Sequence, residues 1–584
     1  MALLLLALPL TAAPREGAAQ APVGASSCDA SKTLAEGWGG AVVSDEGLAS
    51  EAGLEVLRRG GNAADAAVAT ALALAVVAPE AGNLGGGGFA VVRIHDEVAF
   101  LDFRETAPAA AHRDLYVDDD GNVIPDASVY GPLAAGVPGS PAGLYELHRR
   151  FGRMPWPDLV EPAIRLARGG FPVGDRLVDG LDEEREALAR FPESARVWLD
   201  HGKPLPKGMR LRLPTLARTL ERYAAQGPEG VMTGPVAEAV VEVSSRHGGI
   251  LTLDDLAGYE PEWREPLRFE AFGWQLAGAD LPSSGGILTA ASLALAERLD
   301  LASTGAGTVE RAHTLAEIWR RAYADRFLLG DPSTTQATAA DLLAKAALDA
   351  RAATVDPGRA TASDDVRAWN ASNPPAEPSD TTHVSVVDHE GGLVSLTTTV
   401  NGLFGCALWV PEAGFFLNNE MDDFSAAPGQ ANLYGLIQGE ANAVGAGKRM
   451  LSSQSPTLAW RDGEALVVGG RGGSRIPTGT VQVLLGVWLD GLSLLEAVDR
   501  PRIHHQWLPD TIEIEENALE PEVLAALEEL GHAIKTRDWV AQVHAARWRA
   551  GGRVEAAADS RRVPGGAGCA MPHPMGEPAA APNP

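Results

Sequence analysis

Residues 381–400 read Thr-Thr-His-Val-Ser-Val-Val-Asp-His-Glu-Gly-Gly-Leu-Val-Ser-Leu-Thr-Thr-Thr-Val. Two runs rich in β-branched residues flank a short turn ending in Gly-Gly, which predicts a hairpin with a three-residue loop. Once the turn is placed the register follows: with Asp388 opposite Gly392, Thr381 falls opposite Thr399. The preceding stretch, about Asp356 to Asp380, is dominated by Pro, Ala, Ser, Asp and Asn and has no periodicity. It predicts a mobile, accessible linker. A loop that runs straight into a rigid strand, with a hydroxyl beside the strand's first residue, limits the chain to folds in which Thr381 opens a sheet strand. On its own such a hairpin is an ordinary sheet element, because β-branched residues pack well there.

The rest of the chain reads as alternating helical and extended segments. Val42 to Arg59 carries Leu48, Ala52 and Val56 at helical spacing and stops at Gly60-Gly61; Asn62 then caps a second helix, Ala63 to Ala78, which ends before Pro79. Gly85-Gly86-Gly87-Gly88 leads into a strand at Phe89–Arg93. It lacks a following helix and Lys-Ser/Thr, so close backbone packing is expected there rather than a phosphate cradle. From about Ser140 to Ala350 the pattern is mostly helical, and the part after the linker is rich in strands. Beyond about residue 563 the Pro, Gly and Ala content predicts a disordered tail, 563–584.

The formal charge of −29 argues against nucleic acid or an anionic membrane surface as partner, since both would repel the chain. Residues 1–25 begin Met-Ala-Leu-Leu-Leu-Leu-Ala-Leu-Pro-Leu and continue with small residues, as the apolar core and cleavage zone of a secretory signal do. Export to a periplasmic or extracellular space is therefore expected. No other stretch reaches the roughly 18 consecutive apolar residues of a membrane span. The three cysteines, Cys28, Cys406 and Cys569, lack metal-ligand spacing, and an odd number cannot pair fully. A Cys28–Cys569 bridge is conceivable. His504-His505 reads as structural, since neighbouring strand side chains point to opposite faces. Neither a metal nor a cofactor is expected.

A threonine hydroxyl is a poor nucleophile until a base takes its proton, and a free α-amine on the same residue can do so. That amine titrates near about 8, so a useful neutral fraction exists at working pH. Cutting the Asp380–Thr381 bond creates it.

Five motifs in order carry a resemblance: Leu101-Asp102-Phe103-Arg104-Glu105-Thr106-Ala107-Pro108, Asp380-Thr381-Thr382-His383, Leu417-Asn418-Asn419-Glu420-Met421-Asp422-Asp423-Phe424, Leu451-Ser452-Ser453, and Gly472-Gly473-Ser474-Arg475. The chain resembles the γ-glutamyltranspeptidase (glutathione hydrolase) family from about Gly39 to Asp559. The resemblance implies an α+β fold, a four-layer αββα sandwich of the N-terminal-nucleophile hydrolase type. It also implies a precursor that cuts itself into a large subunit, 28–380, and a small catalytic subunit, 381–562, which stay together as a heterodimer. Thr381 matches the nucleophile, and Thr399 the hydroxyl that bonds to it. The donor, glutathione or another γ-glutamyl compound, presents an α-carboxylate, an α-ammonium and a neutral γ-carbonyl. Arg104, Ser452 and Ser453 match the groups for the carboxylate. Asn401, Glu420 and Asp423 match those for the ammonium, and Gly472-Gly473 the oxyanion turn. Tyr434, in Pro428–Gly435, resembles the closing residue of a lid loop. Water, an amino acid or a dipeptide would accept the acyl group.

Two departures from the family pattern stand out. Arg471 precedes the glycine pair where proline is frequent, which predicts a looser turn or added positive charge. Gln454 follows Ser453 where methionine is frequent, which predicts a packing change. The rival readings are a glutaryl or cephalosporin-type acylase of the same fold, which would tolerate loss of the acidic pair Glu420 and Asp423, and a catalytically silent exported binding protein, for which Arg471 is the one hint.

Overall fold

The computed structural model describes residues 33–368, 381–425, 439–561 and 566–572. The signal-like segment 1–25, Cys28, Asp380 and Tyr434 lie outside them.

Among the described residues, two seven-stranded sheets lie face to face. One contains, in spatial order, Ala567–Ala570, Ala41–Ser44, Thr382–Val387, Leu393–Thr399, Gly87–Ile94, Glu97–Phe103 and Glu262–Arg264. The other runs Leu34–Trp38, Arg553–Ala557, Gln542–Arg549, Glu464–Arg471, Thr457–Arg461, Trp274–Gly278 and Leu267–Ala271. Val43, Phe89, Val91, Phe100, Leu458, Val467 and Val554 interdigitate between the sheets. Helices Gly47–Arg58 and Ala63–Val77 pack on the outer face of the first sheet, and Gly285–Arg298, Val309–Arg326 and Ile476–Trp488 on that of the second. The result is the expected αββα sandwich, each sheet buried on both faces.

Helix Ala63–Val77 is buried along its whole length, as a helix apolar on every side must be. Its N-terminus is closed by a capping box of Asn62 and Asp65, and Ala63 N donates to the Asp388 carboxylate at 2.9 Å. The same carboxylate accepts from Glu390 N and Gly392 N, so one side chain fixes the hairpin turn and anchors the helix beneath it. The turn has the expected register: Asp388 N donates to Gly392 O, and Thr382 pairs with Thr398. Thr381 therefore sits beside Thr399. The glycine run lets backbones approach: a Cβ on Gly86 would lie 1.9 Å from Thr399 O.

Three expectations need correction. Val42–Ser44 is strand rather than helix; its β-branched pair slots between Val386 and Cys569, and the helix starts only at Gly47. The stretch 140–350 is mostly helical as expected, its helices interrupted by strands Glu262–Arg264, Leu267–Ala271 and Trp274–Gly278, each an edge or near-edge extension of a sheet. The linker is pinned as far as Ala368: Ser363 N donates to Asp510, the Trp507 indole donates to the carbonyls of Ser363 and Val366, and Val366 and Ala368 are buried. The expected tail contains the strand Ala567–Ala570, fully paired along Ala41–Ser44. Cys569 on that strand is disulfide-bonded, whereas Cys406 is free and buried.

Candidate active site

The first strand of the hairpin begins at the rim of a cavity lined by Arg104, Thr381, Thr399, Asn401, Asp423, Ser452, Ser453, Gln454, Gly473, Ser474 and Ile476. Segments far apart in sequence meet there because the sheets bring together the ends of strands Glu97–Phe103, Leu393–Thr399 and Glu464–Arg471. Thr381 is 5% exposed. Thr399 Oγ1 accepts the Asn401 N–H at 2.7 Å. Asn401 has φ 75°, a left-handed conformation that is costly for a non-glycine residue and recurs at functional sites. Its side-chain nitrogen donates one of its two protons to Asn419 O at 2.9 Å, and the carbonyl oxygen is among the groups it can offer a ligand.

His383, the histidine nearest Thr381 in sequence, is not arranged as a base for it. Its ring nitrogens meet Thr397 Oγ1 at 2.9 Å and Ser385 Oγ at 3.0 Å. Burial pushes its pKa down to about 3, so it is a neutral strut between the sheets.

Arg104 is 1% exposed and forms ion pairs with Glu420 and Asp423, with Glu105 at 3.7 Å. Its Nε donates to Met450 O. Burial pulls the guanidinium pKa down, but Glu420, Asp423 and Glu105 together drive it up, so Arg104 stays charged. Burial pushes the Glu105 carboxyl up to about 8 against the opposing pull of Arg104, and drives Glu420 up as well. One guanidinium thus faces three buried carboxyl groups. The cation and anions touch one another, as the carboxylate and ammonium of an α-amino acid require, because both groups hang from one carbon.

These raised carboxyls set a pH dependence. A carboxyl whose folded pKa exceeds its unfolded value near 4.5 contributes stability that is complete below 4.5 and is lost as pH rises through about 8. The unfolding temperature is expected to fall from about pH 5 to about pH 8, and Glu105→Gln to flatten that slope in thermal scans. An unchanged slope in the variant would remove Glu105 from the account.

The serine pair is held from behind. Ser452 O accepts from Ser284 N and Ser284 Oγ, and Gln454 O accepts from Ser283 Oγ at 2.6 Å. Arg326, buried and lowered by burial to about 10, donates from Nε to Ser284 Oγ at 3.0 Å. One helical turn earlier the Tyr323 hydroxyl donates to Ser474 O. The last turn of helix Val309–Arg326 therefore braces both the serine pair and the glycine turn.

That turn has Gly472 at φ 126° and Gly473 at φ 54°, backbone angles that glycine adopts without steric cost. It leads through one 3₁₀ turn into helix Ile476–Trp488, whose N-terminal dipole favours negative charge. Arg471 does not loosen the turn. It is fully enclosed, donates to Gln542 Oε1 at 2.6 Å and lies 3.6 Å from Asp45. Asp45 also accepts from Thr382 Oγ1 at 2.5 Å and from His544 Nε2 at 2.9 Å, which ties the glycine turn to the residue after Thr381.

Sequence reasoning quoted Glu105 without giving it a role and passed over Asp45, Tyr323 and Arg326. The cue for Glu105 was its place beside Arg104 in the quoted motif; the other three lie outside the five motifs. Elsewhere His313, Glu317 and His532 cluster, but the Glu317 oxygens already accept from Arg320, Arg321 and Thr361. Two neighbouring guanidinium groups make this a structural knot rather than a cation site. His504 and His505 are buried with pKa values lowered by burial to about 3 and about 4, in hydrogen bonds to Thr478, Gln506, Trp507 and Asp510.

The chain is similar to the "Glutathione hydrolase proenzyme" of Pseudomonas aeruginosa, 43% identical over 507 residues that cover 86% of this chain and 89% of the relative. A protein of the same name in Escherichia coli (strain K12) is 40% identical and matches 90% of each chain. In three dimensions the cephalosporin acylase of Bacillus halodurans superposes with a TM-score of 0.81 over 92% of this chain and 97% of that one, at 23% identity; that likeness concerns the fold. The family model described as Gamma-glutamyltranspeptidase matches residues 49–569, and the chain belongs to that family.

Proposed function

We propose that this chain is a glutathione hydrolase and γ-glutamyltransferase that cuts itself before Thr381. The observation that carries the reading is the single cavity in which Thr381 meets Arg104, Asn401, Asp423, Ser452, Ser453 and Gly473. Cleavage frees the Thr381 amine, which takes the proton of its own hydroxyl as Oγ1 attacks the γ-carbonyl. The Thr399 hydroxyl donates to Thr381 Oγ1 and keeps it aimed. The N–H groups of Gly472 and Gly473 receive the oxyanion, for which one such donor is typically worth about 3 kcal/mol. Collapse of the tetrahedral intermediate breaks the C–N bond; the protonated amine of Thr381 returns its proton to the leaving nitrogen, and a γ-glutamyl ester remains. Water or an amino-acid amine then attacks that ester and restores the hydroxyl.

Arg104 with Ser452 and Ser453 holds the donor's α-carboxylate, while Asn401, Glu420 and Asp423 hold its α-ammonium. In the free site Arg104 pairs with Glu420 and Asp423, and the zwitterion inserts between them with equal and opposite charges. The large subunit, 28–380, and the small subunit remain associated, with the small one extending from 381 through at least the strand Ala567–Ala570. No described helix is long and apolar enough to cross a membrane, and the segment 1–25 directs export.

The acylase reading differs in one respect that the site addresses: a glutaryl group has no ammonium, and Arg104 is paired with both Glu420 and Asp423, of which Asp423 lines the cavity. Turnover of γ-glutamyl anilide is expected to exceed that of glutaryl anilide by about 100-fold or more in kcat/KM, as when a buried polar group is left without its partner. Equal turnover of the two anilides would favour the acylase.

A further inference from the structure

Gln454 fits poorly as packing. It is 2% exposed in the wall of the cavity that holds Thr381, and both atoms of its side-chain amide are buried without a hydrogen-bond partner. Its backbone is fixed on both sides: its N–H donates to Ser452 Oγ at 3.1 Å, and its carbonyl accepts from Ser283 Oγ at 2.6 Å. An amide so placed is destabilising, because neither its donors nor its acceptor recovers what burial removes. A methionine here would have a similar length and volume and would fill the space without that penalty. An amide kept in the donor cavity at such cost points to a partner that arrives with the ligand.

The neighbours indicate which ligand group that is. The ammonium end of the site already has Asn401, Glu420 and Asp423. The carboxylate end is short of donors. Arg104 is shared with Glu420 and Asp423, and Ser452 Oγ accepts from Gln454 N, so it has one proton to give. Ser453 Oγ, itself buried without a partner, has one more. A carboxylate has about four lone-pair positions to fill. We propose that Gln454 is a further recognition residue for the α-carboxylate of the γ-glutamyl donor, its Nε2 donating beside the hydroxyls of Ser452 and Ser453. This rests on the γ-glutamyl reading of the site and adds a specificity contact to it.

The test compares L-glutamate with γ-aminobutyrate, which is glutamate without its α-carboxylate, as competitive inhibitors of γ-glutamyl anilide turnover in wild type and Gln454→Met. The variant is expected to split into two fragments as wild type does and to unfold at no lower temperature, since a stranded amide has been removed. Its Ki for L-glutamate is expected to rise about tenfold, the effect of one hydrogen bond to a charged group, while that for γ-aminobutyrate stays within twofold (roughly, on the same scale). KM for the anilide should rise with the glutamate Ki, and kcat should move much less. Equal losses for both inhibitors, or no loss for either, would overturn the proposal and leave the γ-glutamyl reading standing. Absence of γ-glutamyl turnover in wild type would instead remove that reading, and this inference with it. Should Gln454→Met fail to process, Gln454→Asn, which withdraws the amide by one carbon, should raise the Ki of L-glutamate selectively; a non-selective effect there refutes the contact equally.

Discussion

Replacing Thr381 by alanine is expected to leave one uncut chain and to lower γ-glutamyl turnover by about 10⁴-fold or more, the scale on which loss of a nucleophile is felt. Both losses have one cause, because the same hydroxyl would attack the peptide bond before it in the precursor and the γ-carbonyl afterwards. Thr381→Ser keeps that oxygen and is expected to cut itself, more slowly, and to retain measurable turnover. The fold should survive either change, since the strand Thr382–Val387 is paired on both sides without help from the Thr381 side chain. Denaturing electrophoresis and N-terminal sequencing of the smaller fragment read the result. Two fragments from purified Thr381→Ala, with a new start at residue 381, would show that some other group performs the cut.

Arg104→Met is expected to have the next largest effect. Removing one partner of a buried ion pair costs about 3–5 kcal/mol, because the remaining charge is stranded; here Glu420, Asp423 and Glu105 would all face one another without a cation. Part of that loss appears as lowered stability and part as lost donor binding. The expected fall in kcat/KM is about two to three orders of magnitude. Arg104→Lys keeps the charge but not the planar fork that serves a carboxylate on one side and acidic groups on the other, so it should recover stability more than binding. A KM for γ-glutamyl anilide within about threefold of wild type in Arg104→Met would show that the donor's carboxylate is held elsewhere.

The hairpin was legible because its turn chemistry leaves little freedom: Asp388 and Gly391-Gly392 fix the loop, and Thr399 then follows as the neighbour of Thr381. The helix Ala63–Val77 was legible for a similar reason, since Asn62 and Asp65 form its cap and Pro79 follows its end. The strand Ala567–Ala570 was not. Ala-Gly-Cys-Ala carries no β-branched signal, and it is strand only because small residues fit where a Cβ on Gly568 would come 2.3 Å from Ala556 O. Composition also misread residues 356–368, whose order comes from Trp507 and Asp510, far along the chain. Within the site, the motifs named residue types but not their pairing. That Arg104 lies against Glu420 and Asp423, and that the side-chain amide of Gln454 is buried without a partner, are facts of tertiary packing with no local trace.

The position of the strand Thr382–Val387 has a mechanical consequence. It lies between Ala41–Ser44 from the earlier half of the chain and Leu393–Thr399 from the later half, and Gly87–Ile94 continues the sheet beyond. Severing the backbone at its start therefore frees no piece of the molecule: the two halves are braided through one continuous ladder and can part only by unzipping it. The assembled enzyme should dilute without dissociating, and halves made separately should fail to recombine.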